Sequence, residues 1–231
     1  MRNWLKQKEV YFTTVCSVIL SLTAIYVSII SYVVADRQME MDYFEKLPDF
    51  QVTRNQIFDE KMKRFETVEL VVNKLSGKAK NINIETVTIL DVEYSDINPG
   101  TKKSRFLVED YFNTNFLTGK TEGVIQTITG HRNQFKAYEL EKKIESRIEI
   151  RNQYVSTRWQ TYMQITYLNF ENKDQVEYFD ASSVSGKLIR NDSLARYFDF
   201  KHSPIKADQT IHLNDLEEEE KFSKLISKIQ L

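Results

Sequence analysis

The sequence predicts a single transmembrane α-helix near the N-terminus, then a mainly-β domain of antiparallel, β-sandwich-like architecture that ends in an amphipathic helix. Three observations predict this fold class. Residues 10–35 carry no formal charge, residues 48–213 mostly follow a period of two, and residues 214–231 place apolar side chains at three- and four-residue spacing. Between the span and the β-domain, residues 36–47 are expected to form a helical stalk. Residues 1–9 form the flank that precedes the span.

The uncharged segment is long enough to cross a membrane. Its 26 residues exceed the roughly 20 helical residues that a bilayer core requires. Tyr11, Phe12 and Tyr32 lie near its ends, where interfacial aromatic residues are enriched. The alternative is a cleaved signal peptide, because Val33 and Ala35 suit a cleavage site. The apolar region of a signal peptide is only about 7–15 residues long, so we expect an uncleaved anchor.

Small side chains form one stripe along this span. Seven of them follow an alternating three- and four-residue spacing, which is the spacing of a left-handed helix pair. They are Thr14, Ser17, Ser21, Ala24, Ser28, Ser31 and Ala35. We expect this small-residue stripe to contact another transmembrane helix, either from a second copy of the chain or from a different membrane protein. The alternative is that the hydroxyl groups only bond to the carbonyl of the preceding turn, as is common in membrane helices.

The charges that flank the span predict its orientation. Three basic residues precede it, whereas two, Arg37 and Lys46, follow it among several acidic residues. Excess Lys and Arg marks the cytoplasmic side. We therefore expect the N-terminus in the cytoplasm and the β-domain outside the cell membrane. Cys16, the single cysteine, lies in the span, so the β-domain contains no disulfide.

Alternating apolar and polar side chains predict the strands. The stronger candidates are residues 67–72, 82–94, 121–129, 159–170 and 175–179, and the weaker ones are residues 50–58 and 187–190.

Short turns predict how these strands connect. The turn at residues 74–78 predicts an antiparallel pair between the strands that flank it, and Asn172-Lys173-Asp174 predicts a second hairpin. Asn98-Pro99-Gly100 indicates a further turn. Residues 133–148 fit either a helix or a charged hairpin arm.

The last segment has the pattern of an amphipathic helix. Asn214 or Asp215 is expected to cap it, and early glutamates with later lysines complement the helix dipole. Its apolar face consists of Leu216, Phe222, Leu225, Ile226 and Ile229. We expect this face to pack on the β-domain, and the alternative is that it receives a partner helix.

One resemblance covers roughly residues 10–95. The span is followed by residues 47–52 (LPDFQV), then by a strand closed by Asn73, with Gly77, Ala79, Asn81 and Ile82 after it. This arrangement resembles a loose group of bacterial single-pass membrane proteins that carry an extended β-domain. The composition, rich in Lys, Asn and Ile and poor in Gly, is similar to that of low-GC bacteria. The resemblance implies a bacterial membrane protein and adds no site residues.

Motifs for catalysis, metal binding and nucleotide binding are missing from the sequence. His131, His202 and His212 have no second His or Cys at ligand spacing. Gly186-Lys187 lacks the earlier glycine and the following Ser or Thr of a Walker motif, and Ser185 lacks the glycine that a nucleophile elbow places before the serine. The aspartates Asp192, Asp199 and Asp208 do not form a calcium loop. We therefore predict no catalytic residue, no cofactor and no metal, and we predict that the chain is not an enzyme.

These observations predict a membrane-anchored interaction or scaffold protein. Its partners are the lipid bilayer and either a second copy of the chain or another membrane protein. The formal net charge of −1 and the isoelectric point near 6.4 give no electrostatic basis for binding nucleic acid. The alternatives are an extracytoplasmic ligand- or cell-wall-binding module and a membrane-tethered enzyme with carboxylates that come together only in space.

Overall fold

The fold consists of one long helix and a separate β-domain. A computed structural model describes residues 2–95, 101–149, 154–189, 198 and 210–230. The chain divides into two compact units, residues 1–47 and residues 48–231. The predicted fold class is confirmed: a long apolar N-terminal helix is followed by a mainly-β domain of two sheets and by a C-terminal helix.

The first unit is the helix α1 (Arg2–Lys46), which continues without a break through the residues that follow the uncharged span. It ends where the Leu47 N–H donates to the Phe44 carbonyl at 3.2 Å. Pro48 follows directly, and a proline disfavours helical backbone in the residue before it.

Ten strands and three further helices make up the described part of the second unit. The strands are β1 (Asp49–Asp59), β2 (Arg64–Ser76), β3 (Lys80–Ser95), β4 (Thr101–Glu109), β5 (Thr114–Leu117), β6 (Gly123–Gly130), β7 (Tyr154–Leu168), β8 (Asp174–Asp180), β9 (Lys187–Ile189) and β10 (Thr210–His212). The helices are α2 (Asn133–Glu149), a 3₁₀ helix (Leu213–Glu217) and α3 (Glu219–Gln230).

The strands form two sheets that pack face to face. Sheet A has the order β1-β2-β6-β5, and sheet B has the order β10-β4-β3-β7-β8-β9. All described pairings are antiparallel except that of β10 with β4. The core between the sheets contains Leu70 and Val72 from sheet A and Met163 and Ile165 from sheet B. These alternate along their strands, as period two requires.

The helices cover the part of sheet B that sheet A leaves uncovered. Leu90, Val92 and Phe106 project from β3 and β4 into a second cluster, which α2 and α3 complete. Ile144 of α2 and Leu225 of α3 are both fully buried there. Residues 133–148 therefore form a helix and not the charged arm of a hairpin.

The prediction that the strands at residues 67–72 and 82–94 form an antiparallel pair was wrong. β2 pairs with β1 and β6, whereas β3 pairs with β4 and β7 in the other sheet. The turn is instead a crossing between sheets, with Gly77 at φ +71° and Asn81 at φ +52°. Apolar side chains of β2, such as Leu70 and Val72, instead pack across the sandwich in one cluster with Ile84 of β3.

The second predicted hairpin is confirmed, because β7 and β8 pair antiparallel across a turn with Asn172 at φ +59°. Strands β4, β5 and β10 were not predicted. Asn98-Pro99-Gly100 lies outside the described residues.

The C-terminal segment differs from the prediction of one continuous helix. Leu216 lies in the 3₁₀ helix, and Glu218 has extended backbone (φ −81°, ψ 121°) before α3 begins. Neither predicted capping residue caps a helix: Asn214 accepts a hydrogen bond from Lys136, and Asp215 accepts one from Lys221. These two side chains bind lysines elsewhere in the fold, so they do not serve the helix N-terminus.

A short segment after β8 closes one side of the sandwich. The Arg54 N–H donates to the Val184 carbonyl, and the Gly186 N–H donates to the Val52 carbonyl, both at 2.8 Å. This contact pairs the outer edge of β1. A Cβ atom at Gly186 would lie 2.8 Å from the Val52 Cβ, so the approach requires a glycine.

The Gly186→Ala substitution should therefore weaken the sandwich. We expect the added methyl group to separate the two backbones and to lower the free energy of unfolding by about 1–3 kcal/mol. Thermal unfolding of the full chain in detergent, followed by tryptophan fluorescence, measures this change. The exposed neighbour provides the control, since Ser185→Ala should leave the melting temperature unchanged. Equal melting of both variants would contradict the close approach.

The apolar face of α3 generates a second stability prediction. Ile226 is buried in the cluster that joins α3 to sheet B, so Ile226→Asp places a carboxylate in an apolar site. We expect a loss of about 2–5 kcal/mol, the usual range for disrupting a buried Ile or Leu, and hence a clearly lower melting temperature. Ser223→Asp on the exposed face of the same helix is the control. A normal melting temperature for Ile226→Asp would favour the alternative of a face that receives a partner helix.

Candidate partner-binding site

The β1–β2 hairpin extends beyond the core of the sandwich. Alternating burial along β1 stops after Arg54, and the following residues up to Phe58 are exposed on both faces. The hairpin ends in a tight turn in which the Asp59 carboxylate accepts hydrogen bonds from the N–H groups of Lys61 and Met62, at 2.8 and 3.0 Å. These two N–H groups lower the pKa of the Asp59 carboxyl, the Met62 N–H more strongly. We call residues 55–65 the hairpin arm.

Large apolar side chains lie on this arm in contact with water. Ile57, Phe58, Met62 and Phe65 are 44–51% exposed. Phe58 and Phe65 are direct cross-strand partners, and their rings meet edge to face with centroids 5.2 Å apart. A cluster of exposed apolar residues on a projecting element is typical of a surface that binds a protein or a membrane.

The base of the hairpin arm is fixed to α2 by charge and by stacking. The buried Glu66 carboxylate accepts two hydrogen bonds from Arg64, at 2.6 and 2.9 Å. Arg132 lies 3.9 Å from the same carboxylate. The Arg64 guanidinium also stacks on the Phe135 ring at 3.3 Å. The arm therefore projects from a fixed base, which lowers the entropy cost of binding with it.

A polar cleft of about 270 Å³ lies beside this base. Its cationic residues are already neutralised by acids of the fold. Lys136 pairs with Glu217 at 3.1 Å, and Arg64 pairs with Glu66. The cleft consequently offers no surplus charge for an anionic ligand.

A buried polar cluster lies between the sheets. Arg54 is 8% exposed, and its guanidinium donates to the Thr161 hydroxyl, the Ala181 carbonyl and the Tyr111 hydroxyl at 3.2–3.3 Å. The Tyr111 hydroxyl in turn donates to Gln134 Oε1 at 3.1 Å. Within the described residues, no carboxylate forms an ion pair with Arg54. Burial raises the pKa of the Tyr111 phenol, so this group stays protonated and acts as a structural hydrogen-bonding group.

Glu141 of α2 acts electrostatically on the Tyr111 phenol of this cluster. Burial raises the pKa of the Glu141 carboxyl, while Thr157 and Trp159 act in the opposite direction. The indole Nε1–H of Trp159 is buried, and no described residue accepts a hydrogen bond from it. Tyr111 packs against the Trp159 ring at 5.6 Å.

The small-residue stripe lies on α1, and all of its side chains are exposed in the isolated unit. Hydroxyl groups of the stripe donate to the carbonyl four residues earlier, at 2.8–2.9 Å, for Thr14, Ser17, Ser21 and Ser28. These bonds satisfy the hydroxyl protons within one helix. They leave the small size of the side chains as the property that favours close helix contact.

The five residues of the C-terminal apolar face lie in the core. Leu216 projects from the 3₁₀ helix, and the other four project from α3 into the cluster that covers sheet B. This face is therefore occupied by the domain itself.

Of the three histidines, the structure describes His131 and His212. His131 is exposed in the turn before α2, and His202 lies outside the described residues, as do Asp192, Asp199 and Asp208. The two ring nitrogens of His212 approach different carboxylates, Glu109 at 3.0 Å and Asp110 at 3.4 Å. Among the residues that the structure describes, no three His, Cys, Asp or Glu side chains are arranged so that they could hold a metal ion.

Sequence analysis did not identify the hairpin arm. The available signal was that Ile57 and Phe58 are adjacent, so they break the alternation of a strand with one buried face. Arg54 was also missed, because an isolated arginine in a strand is normally placed on the solvent side.

Comparisons with known proteins give no family assignment. No protein-family model matches the chain, and no curated protein matches it. Among solved structures, the chain is similar to a crystal structure assigned to ApaA of Bordetella pertussis. The identity is 9%, the match covers 62% of this chain and 93% of that one, and the TM-score is 0.20. A likeness at this TM-score carries no information on fold or function.

The raised pKa of the Glu141 carboxyl predicts how the stability of the fold changes with pH. A carboxyl whose pKa is higher in the folded state stabilises the fold at low pH, and this contribution is lost as pH rises through the folded-state pKa. Glu141→Gln removes that loss because glutamine stays neutral. We expect the variant to melt at a higher temperature than the natural chain at pH 8.

The difference should vanish as pH falls below the ordinary range of glutamate, where the natural side chain is protonated too. Glu139→Gln, on the exposed side of the same helix, is the control and should not show this pattern. A destabilised Glu141→Gln at pH 8 would show that the charged carboxylate supports the fold.

Proposed function

We propose that this chain is a membrane-anchored, non-enzymatic interaction protein. In this proposal α1 crosses the cell membrane and pairs with a second copy or with another membrane protein, and the hairpin arm binds a protein partner. The observation that carries the proposal is the cluster of four half-exposed apolar side chains on a fixed, projecting arm.

The membrane part rests on the length and composition of α1. Within the described residues, one helix is long and apolar enough to cross a membrane, and its most hydrophobic window has a mean hydropathy of 2.2. A position near the N-terminus is also compatible with a signal sequence. The excess of Lys and Arg before the span supports an orientation with the N-terminus in the cytoplasm. The β-domain then lies outside the cell.

The non-enzymatic part rests on the chemistry of the buried polar groups. The Arg54 cluster combines a cation that does not deprotonate with neutral hydrogen-bonding groups, and it contains no base near neutral pH. Large aromatic and aliphatic anchors, by contrast, are the side chains that dominate protein interfaces. The arm therefore fits partner binding better than the interior fits catalysis.

Native electrophoresis of the full chain, extracted from its own membrane in mild detergent, tests this function. We expect the natural chain to migrate as a complex larger than 27.3 kDa. Ser21→Leu with Ser28→Leu should abolish association in the membrane, because bulky side chains hold helix backbones apart. Phe58→Ser with Phe65→Ser should release the partner of the arm.

Two matched variants serve as controls. Ile19→Leu with Ile30→Leu changes the span without adding bulk to the stripe, and Val176→Thr changes an exposed side chain outside the arm. Both should migrate like the natural chain. A natural chain that migrates as a monomer, or a loss that is equal in all four variants, would contradict the proposal. A band shortened by the span would show a cleaved signal peptide.

A further inference from the structure

Strand β5 is the free edge of sheet A. It pairs with β6 on one side, and within the described residues no strand lies on its other side. The opposite edge of the same sheet is closed, because Val184 and Gly186 bond to β1. Every second residue of β5 consequently directs its backbone N–H and C=O away from the sheet.

Apart from its short length of four residues, the β5 edge carries none of the protection that sheet edges normally have. Natural proteins place charged residues, prolines or bulges on exposed edges, because an unprotected edge pairs with other chains. The four residues of β5 are Thr, Asn, Phe and Leu. Phe116 and Leu117 are 65% and 66% exposed, more than any apolar side chain on the hairpin arm.

These two apolar side chains lie on opposite faces of the sheet. Asn115 pairs with Ile128, which is buried between the sheets, so Asn115 and Leu117 belong to the inner face. Phe116 pairs with Thr127 on the outer face. A helix or a loop can cover one face of a strand. Only an added strand presents side chains to both faces and also satisfies the backbone groups of the edge.

We propose that the added strand is β5 of a second copy of this chain. Two identical antiparallel strands are related by a two-fold axis perpendicular to the sheet, which places one residue opposite itself. Centred on Phe116, the pairing brings the two Phe116 rings together on the outer face and Leu117 beside Asn115 of the second copy on the inner face. Aromatic pairs are favourable in this position, and an uncharged strand avoids like-charge repulsion with its own copy.

The size of this contact requires that the two copies are already close. A pair of four-residue strands buries far less than the roughly 800 Å² per partner of a standard stable interface. Helix pairing in the membrane supplies the high effective concentration that makes such a small contact form. The inference therefore rests on the membrane pairing proposed above, and it extends sheet A into one continuous eight-stranded sheet across two copies.

Thiol cross-linking of the full chain in lipid nanodiscs tests the pairing. In a Cys16→Ser background, Phe116→Cys should give a covalent dimer with a short bifunctional thiol reagent. Asn115→Cys mixed with Leu117→Cys should give the corresponding cross-link between different copies. Phe58→Cys, a half-exposed phenylalanine on the hairpin arm, is the matched control and should cross-link at least tenfold more slowly. Similar rates at positions 116 and 58 would overturn the pairing.

A charge exchange tests the strand pairing independently. Phe116→Lys alone places two like charges opposite each other and should abolish the cross-link of Leu117→Cys with Asn115→Cys. Mixing chains that carry Phe116→Lys with chains that carry Phe116→Glu should restore it. Ser21→Cys reports on the helix pair separately. Dimers that cross-link at Ser21→Cys but not at Phe116→Cys would overturn the edge pairing alone, and absence of both cross-links would overturn the membrane pairing.

Discussion

The fold depends on one guanidinium that is buried without an acid partner among the described residues. Arg54 projects from β1 into the space between the sheets and bonds to β7, to the residue after β8, and to Tyr111 on the crossing between β4 and β5. Removing a guanidinium from water costs several kcal/mol, and charge-assisted hydrogen bonds offset this cost only when their acceptors are correctly placed. Arg54 therefore requires that both sheets and the crossing hold one arrangement.

The Tyr111 crossing extends this arrangement to the helices. The Tyr111 hydroxyl bonds to Gln134, and its carbonyl accepts a 2.6 Å bond from the buried Asn133 side chain, both at the start of α2. A Cβ atom at Gly130 would collide with the same carbonyl. The position of α2, and through it the fixed base of the hairpin arm, thus follows from the polar network around Arg54.

Patterns within single segments predicted much of this fold, whereas relations between segments were not predicted. Alternation identified β2, β3, β6, β7 and β8, because apolar and polar side chains alternate along part of each strand. It did not reveal β5, whose side chains are all exposed, or β10, which has only three residues. The hairpin expected between β2 and β3 failed because a five-residue turn is compatible with both a hairpin and a crossing, and burial across the sandwich decides between them. The sequence predicted the apolar face of the C-terminal helix. Leu216 nevertheless lies outside α3, because Asp215 and Glu218 both bond to Lys221.

The sequence did not predict the hairpin arm as a candidate site, because its exposure also depends on relations between segments. The exposed residues of the hairpin arm are apolar, and a sequence pattern assigns such residues to a core. Phe58 and Phe65 are outside the core because they lie beyond the end of sheet B, and the sequence pattern does not show where that sheet ends. The membrane span is the opposite case: its length and lack of charge are visible in the sequence, and its hydroxyls bond to their own helix without help from the fold.

The single parallel pairing among the described strands has a consequence for the order of folding. β10 joins β4 across about a hundred residues of chain, and α3, which follows it, completes the cover over Leu90 and Phe106. During synthesis, the antiparallel strands of sheet B can assemble before β10 and α3 have left the ribosome. Until then this apolar surface is uncovered. Contacts of such long sequence separation form slowly, and exposed apolar surface promotes aggregation in the meantime. The domain is then complete only after residues 210–230 have been synthesised, so a chain that stops short of α3 exposes an aggregation-prone intermediate to chaperones and proteases.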